Sequence, residues 1–269
     1  MSRYNKMKII DSHAHIFPDK IAEKASFNVG AFYDLAMAFD GKVKTLLNLG
    51  DQYSIDQFLV HSVATTPDQV ESINIYISNV INKYEGRFIG FATLHPDYKD
   101  IRKEIDRAIS LGLKGIKLHP DFQRFHIDSK DAMELYEILE GHLPLLIHTG
   151  DFRYEYSKPE RLARVLDRFP RLQIIAAHFG GWSEWESASE ILAGKNVYVD
   201  TSSSLYALSP EKARSIIERF GVDHVLFGSD YPMWNPGEEI QRVKALELDE
   251  ADYEKIMHLN IEKLLNLAT

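Results

Sequence analysis

Ile9-Ile10-Asp11-Ser12-His13-Ala14-His15 is an apolar run that ends in two imidazoles placed two residues apart. Residues i and i+2 of a strand share a face, so His13 and His15 present their rings to one point. The construction recurs in Leu145-Leu146-Ile147-His148, Ile174-Ile175-Ala176-Ala177-His178 and Val225-Leu226-Phe227-Gly228-Ser229-Asp230. Each run is nearly continuous in aliphatic residues, as expected of strands buried on both faces of a parallel sheet. Each also ends in a group able to bind metal or move a proton.

Working outward, eight such runs are expected as strands, over residues 7–12, 43–49, 87–94, 115–118, 143–148, 172–178, 196–200 and 224–229. Amphipathic helical stretches separate them. Thr66-Pro67 and Ser209-Pro210-Glu211 put a hydroxyl cap before a proline at the first helical position, and Gly112 and Gly221 stand where helices 101–111 and 211–220 close. Alternating β and α units without a low-complexity linker imply an α/β protein built as a single (β/α)8 TIM barrel over residues 1–269. Residues 17–42 break the rhythm with mixed aromatic and acidic residues and are expected to form a helical insertion over the barrel mouth. Gly180-Gly181 follows His178, but no third glycine completes a dinucleotide fingerprint.

Composition narrows the chemistry. The chain has 269 residues, 45% of them hydrophobic, and a formal charge of -9. Its pI near 5.7 and its lack of a basic stripe argue against a nucleic-acid partner. The expected partners are a small-molecule substrate and further copies of the chain. With no cysteine, disulfides, thiolate ligands and cysteine nucleophiles are excluded, and any metal is held by nitrogen and oxygen. The polar start Met1-Ser2-Arg3-Tyr4-Asn5-Lys6-Met7-Lys8 lacks a signal-peptide core, and no apolar stretch reaches the ~18 residues of a membrane span. A cytoplasmic location with no membrane association is therefore expected.

A barrel carries its chemistry at the carboxyl ends of its strands, where these histidines and Asp230 fall. His13, His15, His148 and Asp230 supply a nitrogen and oxygen set for one divalent ion such as zinc, manganese or iron(II), leaving a position for water. His178 then stands beside that water. A lone strand-end histidine is ordinarily structural, and His61, His142, His224 and His258 are assigned to that class. Five candidates at the same ends of their strands are not an accident of composition.

Taken in order, Asp11-Ser12-His13-Ala14-His15, Leu-Ile-His148-Thr-Gly, Ala-Ala-His178-Phe-Gly-Gly-Trp and Leu-Phe-Gly-Ser-Asp230-Tyr-Pro resemble the amidohydrolase superfamily. Within it they are most similar to the amidohydrolase-related family of aminocarboxymuconate-semialdehyde decarboxylase, resorcylate decarboxylases and several lactonases. The resemblance covers nearly the whole chain. It implies His13, His15, His148 and Asp230 as ligands of a single divalent metal, often zinc. It also implies His178 as the histidine that activates or orients water or substrate, Asp230 as an additional proton acceptor, and a homodimer or homotetramer.

Lys117 in Gly115-Ile116-Lys117-Leu118-His119 lies where two-metal relatives carry a carbamylated lysine, and alternation puts it on one face with His119. One metal is favoured, with Lys117 pairing an anionic substrate or an acidic neighbour. Loops after the strands carry Phe122, Arg124, Phe125, Arg153, Tyr154, Tyr156, Trp182, Trp185, Tyr231 and Trp234. Of these, Arg124, Arg153, Trp182 and Tyr231 join Lys117 and His119 as candidates to hold a planar or cyclic carboxylate, since guanidinium takes carboxylate bidentately.

The first expectation is a hydrolase in which metal-activated water attacks an amide, ester or lactone, with His178 or Asp230 moving the proton. The alternative is a carboxy-lyase that removes CO2 from a small cyclic or unsaturated acid. A catalytically silent metal-binding scaffold is the third reading. A structural metal site would be closed, whereas these donors converge on a barrel mouth.

Overall fold

The computed structural model describes residues 7–267. Residues 1–6, most of the polar start, lie outside the described residues. Nine strand segments appear: β1 (Ile10–His15), β2 (Gln57–His61), β3 (Phe88–Gly90), β4 (Ala92–Thr93), β5 (Ile116–Leu118), β6 (Leu145–Ile147), β7 (Ile174–Ala176), β8 (Val197–Asp200) and β9 (Val225–Leu226). All pairings are parallel, in the orders β1-β2-β3 and β4-β5-β6-β7-β8-β9. β3 and β4 are one stave bent at Phe91, whose N–H donates to Val60 O while Ala92 N–H donates to Gly115 O. β9 meets β1 through Ser12 N–H to Phe227 O at 2.8 Å and His15 N–H to Tyr231 O at 2.7 Å, so eight staves close into a (β/α)8 barrel. Among the described residues no helix is long and apolar enough to cross a membrane.

One expected strand is corrected. Residues 43–49 lie in helix α2 (Val43–Tyr53), which buries Val43, Leu46, Leu49 and Gly50 at helical spacing. The second strand is β2, the short run Gln57-Phe58-Leu59-Val60-His61. An apolar stretch of this length is ambiguous by periodicity alone. The longer α2 pattern, closed at Ser54 in the left-handed region (φ 58°), settles it.

The barrel interior is filled by Ile10, Leu59, Ile89, Phe91, Leu146, Ile175 and Leu226, with Ile261, Leu264 and Leu265 packed against them. Stepping two residues on from Leu59 gives His61, and from Leu146 gives His148, so interior positions lead directly into the site. Gly115 makes room for the wholly buried Phe91, since a Cβ there would meet its ring at 2.3 Å. Gly115→Ala is expected to destabilise the chain by about 1–3 kcal/mol through overpacking. Urea denaturation measures it, and an unchanged midpoint would mean that the interior yields.

Within residues 17–42, helix α1 (Ala22–Tyr33) ends at Asp34 in the left-handed region (φ 54°). Its last two residues reach strand-end groups. Tyr33 Oη lies 2.8 Å from His119 Nε2, and the Phe32 ring packs edge-on against Phe122 and flat against Tyr154.

Candidate metal centre

β1 carries a register shift between Asp11 and Ala14. The Asp11 carboxylate fills the gap by accepting His13 N–H at 3.1 Å and Ser229 N–H at 2.9 Å, so it ties β1 to the Asp230 loop. His13 and His15 then face inward. Asp230 Oδ1 lies 3.6 Å from His13 Nε2 and 3.5 Å from His15 Nε2. The other Asp230 oxygen accepts from Ser203 Oγ, which in turn accepts Trp234 Nε1–H at 2.8 Å.

His178 and Asp230 both sit in the left-handed region, at φ 61° and 60°. That conformation is uncommon for residues with a Cβ and costs about 1–3 kcal/mol at each position. It turns each side chain out of its strand's alternation and into the site. Asp200, at the end of β8, holds the arrangement: Oδ2 is 2.8 Å from His13 Nδ1, and Oδ1 accepts His178 N–H at 3.0 Å and Ser202 N–H at 3.1 Å. With His13 Nδ1 bound to Asp200, its Nε2 lone pair points at the centre, the orientation a metal-binding imidazole takes. Lys117 Nζ stands 3.2 Å from that nitrogen, on the side that a metal would approach.

His148 is placed differently. Its Nδ1 is 3.0 Å from His178 Nε2 and its Nε2 is 3.3 Å from Asp121 Oδ2. Its ring stacks on His119 at 4.0 Å, and His119 stacks on Phe122 at 3.7 Å. Among the described residues three groups offer three possible donors within 4.8 Å: His13, His15 and His61; His13, His178 and Asp200; His119, Asp121 and His148. The third group is poorly disposed for an ion. His119 already engages Tyr33 Oη, and its Nδ1 faces Phe122 N–H at 3.4 Å.

His61, assigned above to the structural class, is fully buried beside His15 and His13, with ring centroids 4.4 and 4.9 Å away. Neither of its ring nitrogens has a hydrogen-bond partner. A buried imidazole without partners is costly, and an ion would satisfy it. Asp200 closes Val197-Tyr198-Val199-Asp200, the same kind of apolar run ending in a polar group, and belongs to the strand-end set that the four histidines and Asp230 leave incomplete.

Burial dominates the electrostatics. It pushes His13, His15 and His61 well below the usual histidine range, with the Lys117 charge adding to the effect, and takes His148 and His178 to about 3. The imidazoles are therefore neutral at physiological pH, the form that binds a metal. Burial also raises Asp230 to about 6 and lowers Lys117 to about 8. A space of about 20 Å³, walled in part by His15, Lys117, His178 and Asp230, is large enough for one ion or water. Nitrogen and oxygen donors without sulfur suit zinc, manganese or iron(II). The residues fit a divalent metal.

The remaining candidates divide. Arg124 is exposed and lines a second, larger cavity of about 590 Å³ that His15 also borders. Arg153 is committed elsewhere, with Nη2 2.7 Å and Nε 3.0 Å from the Asp151 carboxylate and Nη1 donating to Phe32 O. Trp182 packs its ring against Tyr33 and that guanidinium. Tyr231 donates its hydroxyl to Lys42 O at 2.8 Å and lines neither space.

Comparison with known proteins adds the following. The family model described as Amidohydrolase matches residues 10–267. The decarboxylase orsB of Emericella nidulans is 25% identical over 236 residues, covering 67% of this chain and 70% of that protein. A dihydroxybenzoic acid decarboxylase from Polaromonas sp. JS666, solved with bound manganese and the inhibitor 2-nitroresorcinol, superposes with a TM-score of 0.76 at 17% identity over 97% of this chain and 98% of that one. A probable 2-pyrone-4,6-dicarboxylic acid hydrolase from Acinetobacter baumannii superposes at 0.70 with 18% identity, over 97% of this chain and 100% of that one.

Proposed function

The chain belongs to the amidohydrolase family, and from that premise we propose that it is a metal-dependent carboxy-lyase that releases CO2 from a hydroxylated ring carboxylic acid. One observation carries this: Asp230 Oδ1 stands 3.6 Å from His13 Nε2 and 3.5 Å from His15 Nε2, and His15 also borders a largely apolar cavity. An apolar ring fits the cavity with its carboxylate at the donors. The similarity to named decarboxylases supports the same reading over hydrolysis, the first expectation from sequence. Hydrolysis stands second, supported by the same donors and by the likeness to a named hydrolase.

A divalent ion held by His13, His15 and Asp230, with His61 as a further donor, would supply the positive charge that grips the substrate carboxylate and tempers developing negative charge. Lys117 Nζ would add a hydrogen-bond donor beside it. Asp121 Oδ1, buried and without a partner, is an acceptor for a ring hydroxyl. Asp230 brings a proton to the ring carbon that bears the carboxylate. The carbon–carbon bond then breaks, CO2 departs, and the electron pair left behind restores the ring. Tyr33, Phe122 and Met233 wall the small space and keep bulk water from it.

The test is direct. Manganese-loaded protein incubated with 2,6-dihydroxybenzoate in D2O should release CO2 and place one deuterium on the carbon that lost it. Turnover of lactones or amides with no CO2 from any ring acid would reject the reading. His61 is tested separately. His61→Gln should weaken manganese binding at least about tenfold in competition with a chelator. Unchanged affinity would remove His61 from the donor set.

A further inference from the structure

We propose that the ring acid carries an apolar substituent several carbons long, housed in the 590 Å³ cavity beyond His15; this rests on the decarboxylase reading above. The cavity lies between two helices. Ile21, the N-cap of α1, and Ala25, Val29 and Phe32 within it line the cavity as one stripe at helical spacing, while a different face bearing Ala22, Ser26 and Gly30 is the one that is buried. Opposite, the helix Val70–Lys83 presents Ile73 and Tyr76.

Helices in a packed domain interlock such stripes, because unfilled space forfeits contacts along every wall. Here the two stripes face each other across a groove open to solvent. Its volume is roughly four times the ~150 Å³ that accepts one benzene, so a bare ring at the donor end leaves most of it empty. Ile21 is 51% exposed at the rim, which gives an entry from solvent.

The wall is more apolar than its residue types suggest, since its hydroxyl and amide side chains on the β2 side are turned to partners within the protein. Ser62 Oγ donates to Ile16 O, Gln69 Oε1 accepts Thr65 N–H at 2.8 Å and Thr65 Oγ1–H at 3.1 Å, and Ser72 Oγ donates to Gln69 O at 3.0 Å. What they leave toward the cavity is mostly carbon. A hydrocarbon chain is the occupant this surface selects.

The experiment uses the manganese-loaded full chain and a series of 2,6-dihydroxybenzoates bearing 4-alkyl chains from methyl to heptyl. kcat/KM should rise about fourfold per added methylene until the cavity is filled, the equivalent of about 0.8 kcal/mol for each buried CH2. Ala25→Trp and Ile73→Trp, on the two helices and not on the strands that carry the donors, should abolish the rise and leave the unsubstituted acid within about twofold. Calorimetry with 4-alkylphenols provides a readout independent of turnover, and affinity should follow the same series. Turnover of the unsubstituted acid with a flat or falling chain-length profile would overturn the proposal. So would a rise that survives Ala25→Trp. Failure of every acid to lose CO2 rejects the decarboxylase reading instead, and the alkylphenol series still decides whether the cavity takes a chain.

Discussion

Replacing His178 with asparagine is expected to leave the metal in place at saturating concentration and to lower turnover about 10–100-fold, the range for a group that orients its neighbours in a metal site. The hydrogen-bond network fixes what this ring does. Ser202 O can only accept, so His178 Nδ1, 3.0 Å away, carries the proton. Its Nε2 is then the acceptor for the N–H on His148 Nδ1 at 3.0 Å. Burial first, and His148 next, holds its pKa at about 3, so His178 is neutral and fixed in orientation while its ring borders the small space. Asparagine tolerates the left-handed backbone at this position, so the fold should survive. Metal analysis and kcat on the same preparation separate two roles. Full metal with lowered turnover means that His178 acts by positioning the groups around it, without holding the ion. Lost metal would mean that His178 itself belongs to the donor set, with His13 and Asp200. Unchanged turnover would leave it no part in the chemistry.

The barrel was legible because parallel strands enclosed on both faces must be apolar along their length, and β1 and β5 to β9 read that way. The single misplaced strand had consequences. Taking 43–49 as the second strand left Gln57-Phe58-Leu59-Val60-His61 unread, and with it the fact that His61 stands two residues beyond the interior Leu59. An imidazole facing His15 across a parallel pair was thereby treated as incidental, although the register sets His15 directly beside His61.

Residue type at a strand end was readable, but ring direction was not. His178 and Asp230 enter the site through left-handed backbone that breaks the two-residue alternation, and no spacing rule anticipates that turn. His148 obeys the alternation yet faces His178 and Asp121, because Asp121 on the short helix Pro120–Gln123 is held nearby by Ser157 Oγ at 2.7 Å. Arg153 was legible as a loop cation. Its engagement by Asp151, two residues earlier, is a local turn geometry that composition does not reveal.

Asp230→Asn is expected to have the largest effect, because it removes one charge from two tasks. The substitution is nearly isosteric and asparagine adopts φ near 60° readily, so Ser203 and Trp234 can keep their places and the backbone need not move. The carboxylate oxygen 3.6 and 3.5 Å from the two imidazoles becomes an amide group, which is a far weaker partner for a divalent ion. Metal affinity should fall at least about tenfold. At saturating metal, turnover should remain about 10²–10⁴-fold below the native chain, because an amide cannot cycle a proton to the ring carbon. Chelator competition reads the first effect and CO2 release under saturating manganese reads the second. Turnover that recovers fully with added metal would confine Asp230 to metal binding and require another proton source. Affinity that is unchanged while turnover is lost would take Asp230 out of the donor set and leave it only the proton. The Glu variant sharpens the division: it restores a carboxylate on a longer arm, so it should recover metal affinity before turnover if proton delivery depends on where the oxygen stands.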